Sequence, residues 1–157
     1  MATVGFNRKQ FFFDRQIVID AVGRASAKNL SQAGSFIRRS ARSSLRRRKK
    51  TSPPGEPPSV HTKDPVATLK NIWFVFDPAQ RSVVVGPLKL KGSRLEGSNR
   101  PTVPSLHELG GAAVVGGRPN GKRKPKRRAK YAPRPFMGPA MERELPKFAG
   151  LWAHSVK

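Results

Sequence analysis

Asn71-Ile72-Trp73-Phe74-Val75-Phe76-Asp77-Pro78-Ala79-Gln80-Arg81-Ser82-Val83-Val84-Val85 is the stretch that decides the fold class. Two runs of β-branched and aromatic residues, each of strand length, flank Asp77-Pro78-Ala79-Gln80. Asp followed by Pro fits the first two positions of a type I turn, so residues 70–86 read as an antiparallel hairpin.

Upstream, the spacing predicts one long helix from Asp14 to about Arg48. Its interior lacks Pro, and Ile17, Val18, Val22, Ala25, Leu30, Ala33, Phe36, Ile37, Ala41 and Leu45 recur mostly at three- and four-residue steps. Gly23 and Gly34 each cost up to about 1 kcal/mol relative to Ala, so each marks a candidate bend or close crossing. Ser52-Pro53-Pro54-Gly55-Glu56-Pro57-Pro58 then ends the helix and makes residues 51–65 a stiff extended connector.

Downstream, Pro87 to Thr102 reads as a loop, and Pro104 to Leu109 as one or two helical turns stopped by Gly110-Gly111. Residues 116–130 cannot bury apolar surface and are expected to form a mobile basic loop. Tyr131 to Met137, with Pro133 and Pro135, can be a strand only at a sheet edge. Pro139 suits the first turn of a terminal helix, with Met141, Leu145, Phe148, Leu151 and Trp152 on one face and a kink or split at Pro146. The expected fold is a single α+β domain. Its long N-terminal and C-terminal helices pack on a small antiparallel β-sheet, with Ile72, Phe74, Val83, Val85, Phe136 and Trp152 in the core.

Composition narrows the function. The 157 residues hold 32 Lys+Arg against 9 Asp+Glu, a formal net charge of +23, and a sequence pI near 11.8. Such a charge repels itself and calls for a polyanion or an acidic partner surface. Cysteine is absent, which excludes disulfides, thiol catalysis and Cys-ligated zinc. Phe11-Phe12-Phe13 is too short for a signal h-region, and no stretch approaches the roughly 20 apolar residues of a membrane span, so a cytoplasmic protein is expected.

Enzyme readings fare poorly. His61, His107 and His154 stand in three separate segments, and no carboxylate pair or His/Asp/Glu cluster suggests acid–base or metal chemistry. Gly110-Gly111 and Gly116-Gly117 lack the Lys-Ser/Thr step of a phosphate loop. No catalytic residue, metal or cofactor is expected, and His107 beside Glu108 reads as a helix-surface or interface pair.

The strongest chemical feature is two basic runs. Arg42, Arg46, Arg47, Arg48, Lys49 and Lys50 would continue the long helix, while Lys122, Arg123, Lys124, Lys126, Arg127, Arg128 and Lys130 would ride on the loop. Three readings suit them: a solvated basic face, docking on an acidic protein, and contact with a polyanion, which the charge favours. Phosphate contact would weaken by ~10³–10⁵-fold between 50 and 200 mM salt for six to ten contacts. Aromatic residues are missing from both runs, so duplex backbone contact is favoured over single-strand stacking.

The order of segments resembles the tail-completion and neck proteins of tailed bacteriophages, the group that includes the minor tail protein Z type. That family typically runs Pro-Gly-x-Pro-Pro, a Thr-Gly-x-Leu-x-x-Ser-Ile strand entry, a Glu-Phe-Gly turn and Arg-Pro-Phe-x-x-Pro-Ala. Here Pro54, Gly55, Pro57 and Pro58 match the first element, Glu108 and Gly110 the third, and Arg134, Pro135, Phe136 and Pro139 the fourth. The second departs: Thr62 is followed by Lys63-Asp64-Pro65, and Leu69-Lys70-Asn71-Ile72 stands at the strand entry.

The resemblance implies a structural virion protein of the head–tail junction. It implies a hexameric or dodecameric ring of copies of the chain around double-stranded DNA. The portal or adaptor and the tail terminator or tail tube proteins would be its neighbours, with no membrane involved. The alternative that composition supports equally is a free basic nucleic-acid-binding protein of ribosomal or nucleoid type.

Overall fold

The computed structural model describes residues 15–64, 66–88, 90, 102–117, 124–153 and 155. The Phe11-Phe12-Phe13 run, Lys122, Arg123 and His154 lie outside the described residues, as does most of the expected 87–102 loop.

The architecture is α+β. Helix α1 (Arg15–Ser44) runs first, then strands β1 (Ile72–Asp77) and β2 (Ser82–Pro87), helix α2 (Val103–Leu109), strands β3 (Gly111–Gly117) and β4 (Lys124–Tyr131), and helices α3 (Met137–Glu144) and α4 (Phe148–Trp152). One antiparallel sheet was expected. There are two, each of two strands, β1–β2 and β3–β4.

Helix α1 is the spine. Ala25, Asn29, Ala33, Ile37, Ala41 and Leu45 are all buried, a strip of every fourth residue that runs past the helix end. Four-residue rows form the ridges by which helices pack closely, and small Ala side chains let partners approach. On this strip sit α3 and the β1–β2 hairpin. The core joins Ile37, Ala41 and Leu45 to Val60, Leu69, Ile72, Phe136 and Ala140. The apolar N-terminal half of α1 fares differently, since Ile17, Val18 and Val22 are exposed.

The hairpin forms in the expected place. Asp77 Oδ1 accepts from the amides of Ala79 (2.9 Å) and Gln80 (3.2 Å), which closes the turn, and Arg81 completes it at φ +46°. Val75 opposes Val84 and Phe74 opposes Val85 in register. Strand alternation then sorts the faces. Phe74 and Val83 turn toward α1, meeting it at Gly34, while Trp73, Val75 and Val84 are exposed. Gly34 is a close crossing: a Cβ there would stand 2.8 Å from Val83 Cγ2 and 3.1 Å from Phe74 Cδ2. Gly23 has open space around it and marks no crossing.

Four expectations are corrected. The helix stops at Ser44, so Arg46 to Lys50 lie beyond it. Ser43 and Ser44 hydroxyls donate back to Ser40 O and Ala41 O, both at 2.8 Å, competing with the ladder. Arg46 O is taken by the amide of Val60 (3.1 Å) instead of a helical successor.

The basic loop is in part a strand, because residues 124–130 pair with β3 from Gly111↔Tyr131 to Gly117↔Lys124, with an irregularity between Val115 and Gly117. A two-stranded ribbon leaves its cations in water while satisfying backbone groups, so pairing requires no apolar face. The edge strand expected over 131–137 ends at Tyr131, since the prolines that follow cannot donate to a ladder.

The terminal helix is split at Pro146 by a 3-10 turn, Leu145–Lys147, and the expected face holds only in part: Phe148 packs on the core and Leu151 is half-buried. Ala140 and Glu144 are buried, whereas Met141, Leu145 and Trp152 are exposed. Trp152 therefore leaves the expected core list, Ile72 and Phe136 are its fully buried members, and Phe74, Val83 and Val85 are half-buried. Close packing against α1 favours the small Ala140. Glu144 is tolerated there because Lys147 Nζ donates to it at 2.6 Å, and that bond holds its carboxyl below the usual range.

Candidate nucleic-acid interface

The motif segments far apart in sequence meet in one junction. Helix α2 is fixed first: Thr102 Oγ1 accepts from the amide of Ser105 (3.4 Å), and Pro104 stands in the first turn. Gly110 ends it at φ +74°, ψ −168°, a conformation essentially reserved for glycine, and a Cβ there would lie 3.0 Å from Tyr131 O.

Held by this short helix, the Glu108 carboxylate reaches 28 to 30 residues along the chain. Oε2 accepts from the amides of Phe136 (3.0 Å) and Met137 (3.1 Å), and Oε1 from that of Gly138 (2.8 Å). The first amides of a helix have no intrahelical partner, and the dipole there favours negative charge. Glu108 is thus the cap of α3.

Arg134 ties the junction to the connector. Its amide donates to His107 O (2.6 Å) and its Nε to Ser52 O (2.8 Å). Gly55, at φ +84°, donates its amide to Pro133 O (2.9 Å). Pro58 is fully buried, Pro57 and Pro135 are half-buried, and Pro54 and Pro139 are exposed. His107 stands edge-on to Tyr131, with ring centroids 6.5 Å apart. Burial, reinforced by the Arg134 charge, holds its pKa below the usual histidine value. The motif residues are architectural: they join connector, α2 and α3.

The basic residues are not brought together so neatly. Arg42 is exposed in the last turn of α1, and Arg46, Arg47, Lys49 and Lys50 are exposed in the segment after it. Arg48 leaves the set, since Nη1 pairs with Glu56 Oε2 at 2.5 Å across the connector. Lys50 O accepts from Ser59 Oγ (3.0 Å), which ties down the run's far end. Along β4, Arg127, Arg128 and Lys130 are exposed, and the backbone of Lys124 and Lys126 lies in the same strand. Their partner β3 exposes Val114, so this ribbon offers cations on a surface that belongs to no core.

Sequence reasoning counts Arg38 among the cations of α1 but not among the site residues. Its Nε donates to Ile72 O (2.7 Å) and its guanidinium lies 5.7 Å from the Trp73 ring centroid. The three-residue step from Ser35 and the four-residue step to Arg42 were the available signal.

Among the described residues no three His, Asp or Glu side chains gather closely enough to hold a metal ion, and no helix is long and apolar enough to cross a membrane. His61 is exposed in the connector. No family model, curated protein or solved structure matches this chain.

Proposed function

We propose that this chain is a structural virion protein of the tailed-phage neck. It completes or joins the tail as a hexameric or dodecameric ring, lies between the portal or adaptor and the tail terminator or tail tube, and is not an enzyme. The observation that carries this reading is the junction itself. Three of the four motifs behind the resemblance, separated by up to 82 residues, are bonded to one another through Ser52, Gly55, His107, Glu108 and Arg134. Motifs bonded into one junction serve a scaffold, and a binder of phosphate needs none of them.

Charge supports the same reading. Copies carrying +23 each cannot close into a ring without a compensating polyanion or acidic neighbours. Double-stranded DNA in the lumen supplies that charge, and the exposed cations of β4 and of residues 46–50 are the side chains to face it. Gold labelling of a tagged copy in purified particles tests the assignment. Label at the single tail vertex supports it, and particles free of label and of the protein overturn it. The β3–β4 ribbon favours the second reading, a free basic nucleic-acid-binding protein, for which light scattering would give a monomer that shifts duplex DNA at low salt and never forms rings.

A further inference from the structure

The surface between α1 and the start of β1 holds a further cationic feature, which shares only Arg42 with the two basic runs. Ser35, Arg38, Arg39, Arg42 and Ser43 follow the steps i, i+3, i+4, i+7 and i+8, so they lie on one face of α1. With Lys70 they line a cleft of about 460 Å³ with no acidic side chain. The described ion pairs, Arg48–Glu56 and Glu144–Lys147, are elsewhere.

Like charges one turn apart on a helix destabilise it by roughly 0.2–0.5 kcal/mol per pair, and here Arg38 and Arg42 as well as Arg39 and Arg42 stand so. No acidic side chain lines the cleft to offset that repulsion. Two of its guanidinium groups are preorganised. Arg38 is pinned by its Nε bond to Ile72 O, with its guanidinium 5.7 Å from the centroid of Trp73, itself 58% exposed. Arg39 lies 5.9 Å from the Phe36 ring centroid. Guanidinium groups fixed in this way lose little entropy when they take a phosphate oxygen.

We propose that this cleft is a phosphodiester-binding site, in which Arg39, Arg42 and Lys70 take successive backbone phosphates of duplex DNA beside Trp73. It rests on the polyanion part of the neck reading and adds a second contact surface to the β4 ribbon. Lys70 stands two residues before β1, so the approach to the hairpin and α1 present their charges to one ligand, and Trp73 reports its arrival.

The test uses the full chain and a 30-base-pair duplex. The R39Q/R42Q/K70Q variant removes three charges that hold no described hydrogen bond, and R127Q/R128Q/K130Q is its counterpart on β4. Affinity is measured from 50 to 200 mM salt, and Trp73 emission is followed in a W152F background. The cleft variant is expected to lower the slope of log affinity against log salt by about 2–3, to weaken binding roughly 10²-fold at 100 mM, and to abolish the Trp73 response. An unchanged slope with no Trp73 response in the parent overturns the cleft. If the β4 variant alone loses binding, DNA contact on the ribbon stands and only the cleft falls. Absence of any duplex binding at 50 mM also overturns the cleft, while labelled particles decide the neck reading separately.

Discussion

Replacing Glu108 by Ala removes the acceptor for three consecutive amides at the start of α3, those of Phe136, Met137 and Gly138, at 2.8–3.1 Å. Loss of an ordinary helix cap costs about 1 kcal/mol. A carboxylate contributes more, because hydrogen bonds to a charged group are worth roughly 1.5–3 kcal/mol and the helix dipole adds about 0.3–1. Some of this returns when water solvates the freed amides, for Gly138 is exposed. Phe136 is 1% exposed, so its neighbourhood is the least able to hydrate. The net expectation for Glu108→Ala is a loss of about 3 kcal/mol, which for a chain of this size lowers Tm by roughly 6–12 °C. Glu108→Gln keeps a neutral acceptor and should cost about half as much. Thermal and urea unfolding at pH 7 measure the stability, and hydrogen exchange at the Phe136, Met137 and Gly138 amides locates the damage. An Ala variant within about 0.5 kcal/mol of the parent, or Gln as harmful as Ala, would refute the capping argument.

Four further outcomes follow from the same structure. Gly34→Ala should destabilise by about 1–2 kcal/mol by urea midpoint, since its Cβ meets Val83 Cγ2 at 2.8 Å; adding Val83→Ala should ease that clash and bring the two costs below their sum. Gly23→Ala, with nothing near its Cβ, should stabilise by up to about 1 kcal/mol, so equal effects at the two glycines would contradict the helix–hairpin crossing. Gly110→Ala places a side chain at φ +74° and should cost about 1–3 kcal/mol in thermal unfolding, with loss of protection at the Arg134 amide. The pH dependence turns on His107, held below its ordinary value of 6.5 by burial and then by Arg134. The unfolded chain binds a proton there first, so stability should fall as pH drops from 7 through that ordinary value, and His107→Gln should flatten the decline.

Much of the fold is legible because it is local. The α1 strip, the Asp77-Pro78 turn, the stop of α2 at Gly110 and the break at Pro146 all act within a few residues, where periodicity and turn chemistry operate. What escaped is long-range or side-chain-independent. The β3–β4 ladder joins Gly and Ala to a Lys/Arg run, and its stability lies in backbone bonds that leave no pattern in side-chain character. In the terminal helix Phe148 points inward as expected, but Met141, Leu145 and Trp152 do not, because close approach to α1 selects Ala140 and the Lys147-paired Glu144.

The site divides in the same way. Charge announced Arg42 and the exposed cations of β4, but the pairing that removes Arg48 needs Glu56 brought back across the connector. Glu108 caps a helix 28 residues away, so its neighbour His107 drew the reading of a surface pair. The contacts of Arg38 could not be read ahead because they depend on Ile72 O and Trp73, which only folding places beside it.

The central claim concerns assembly, and negative-stain microscopy of particles made without this gene tests it most directly. The account predicts DNA-filled heads apart from unattached tails, or tails of abnormal length, with wild-type particles restored by the gene in trans. Normal, infectious particles from the deletion would contradict it.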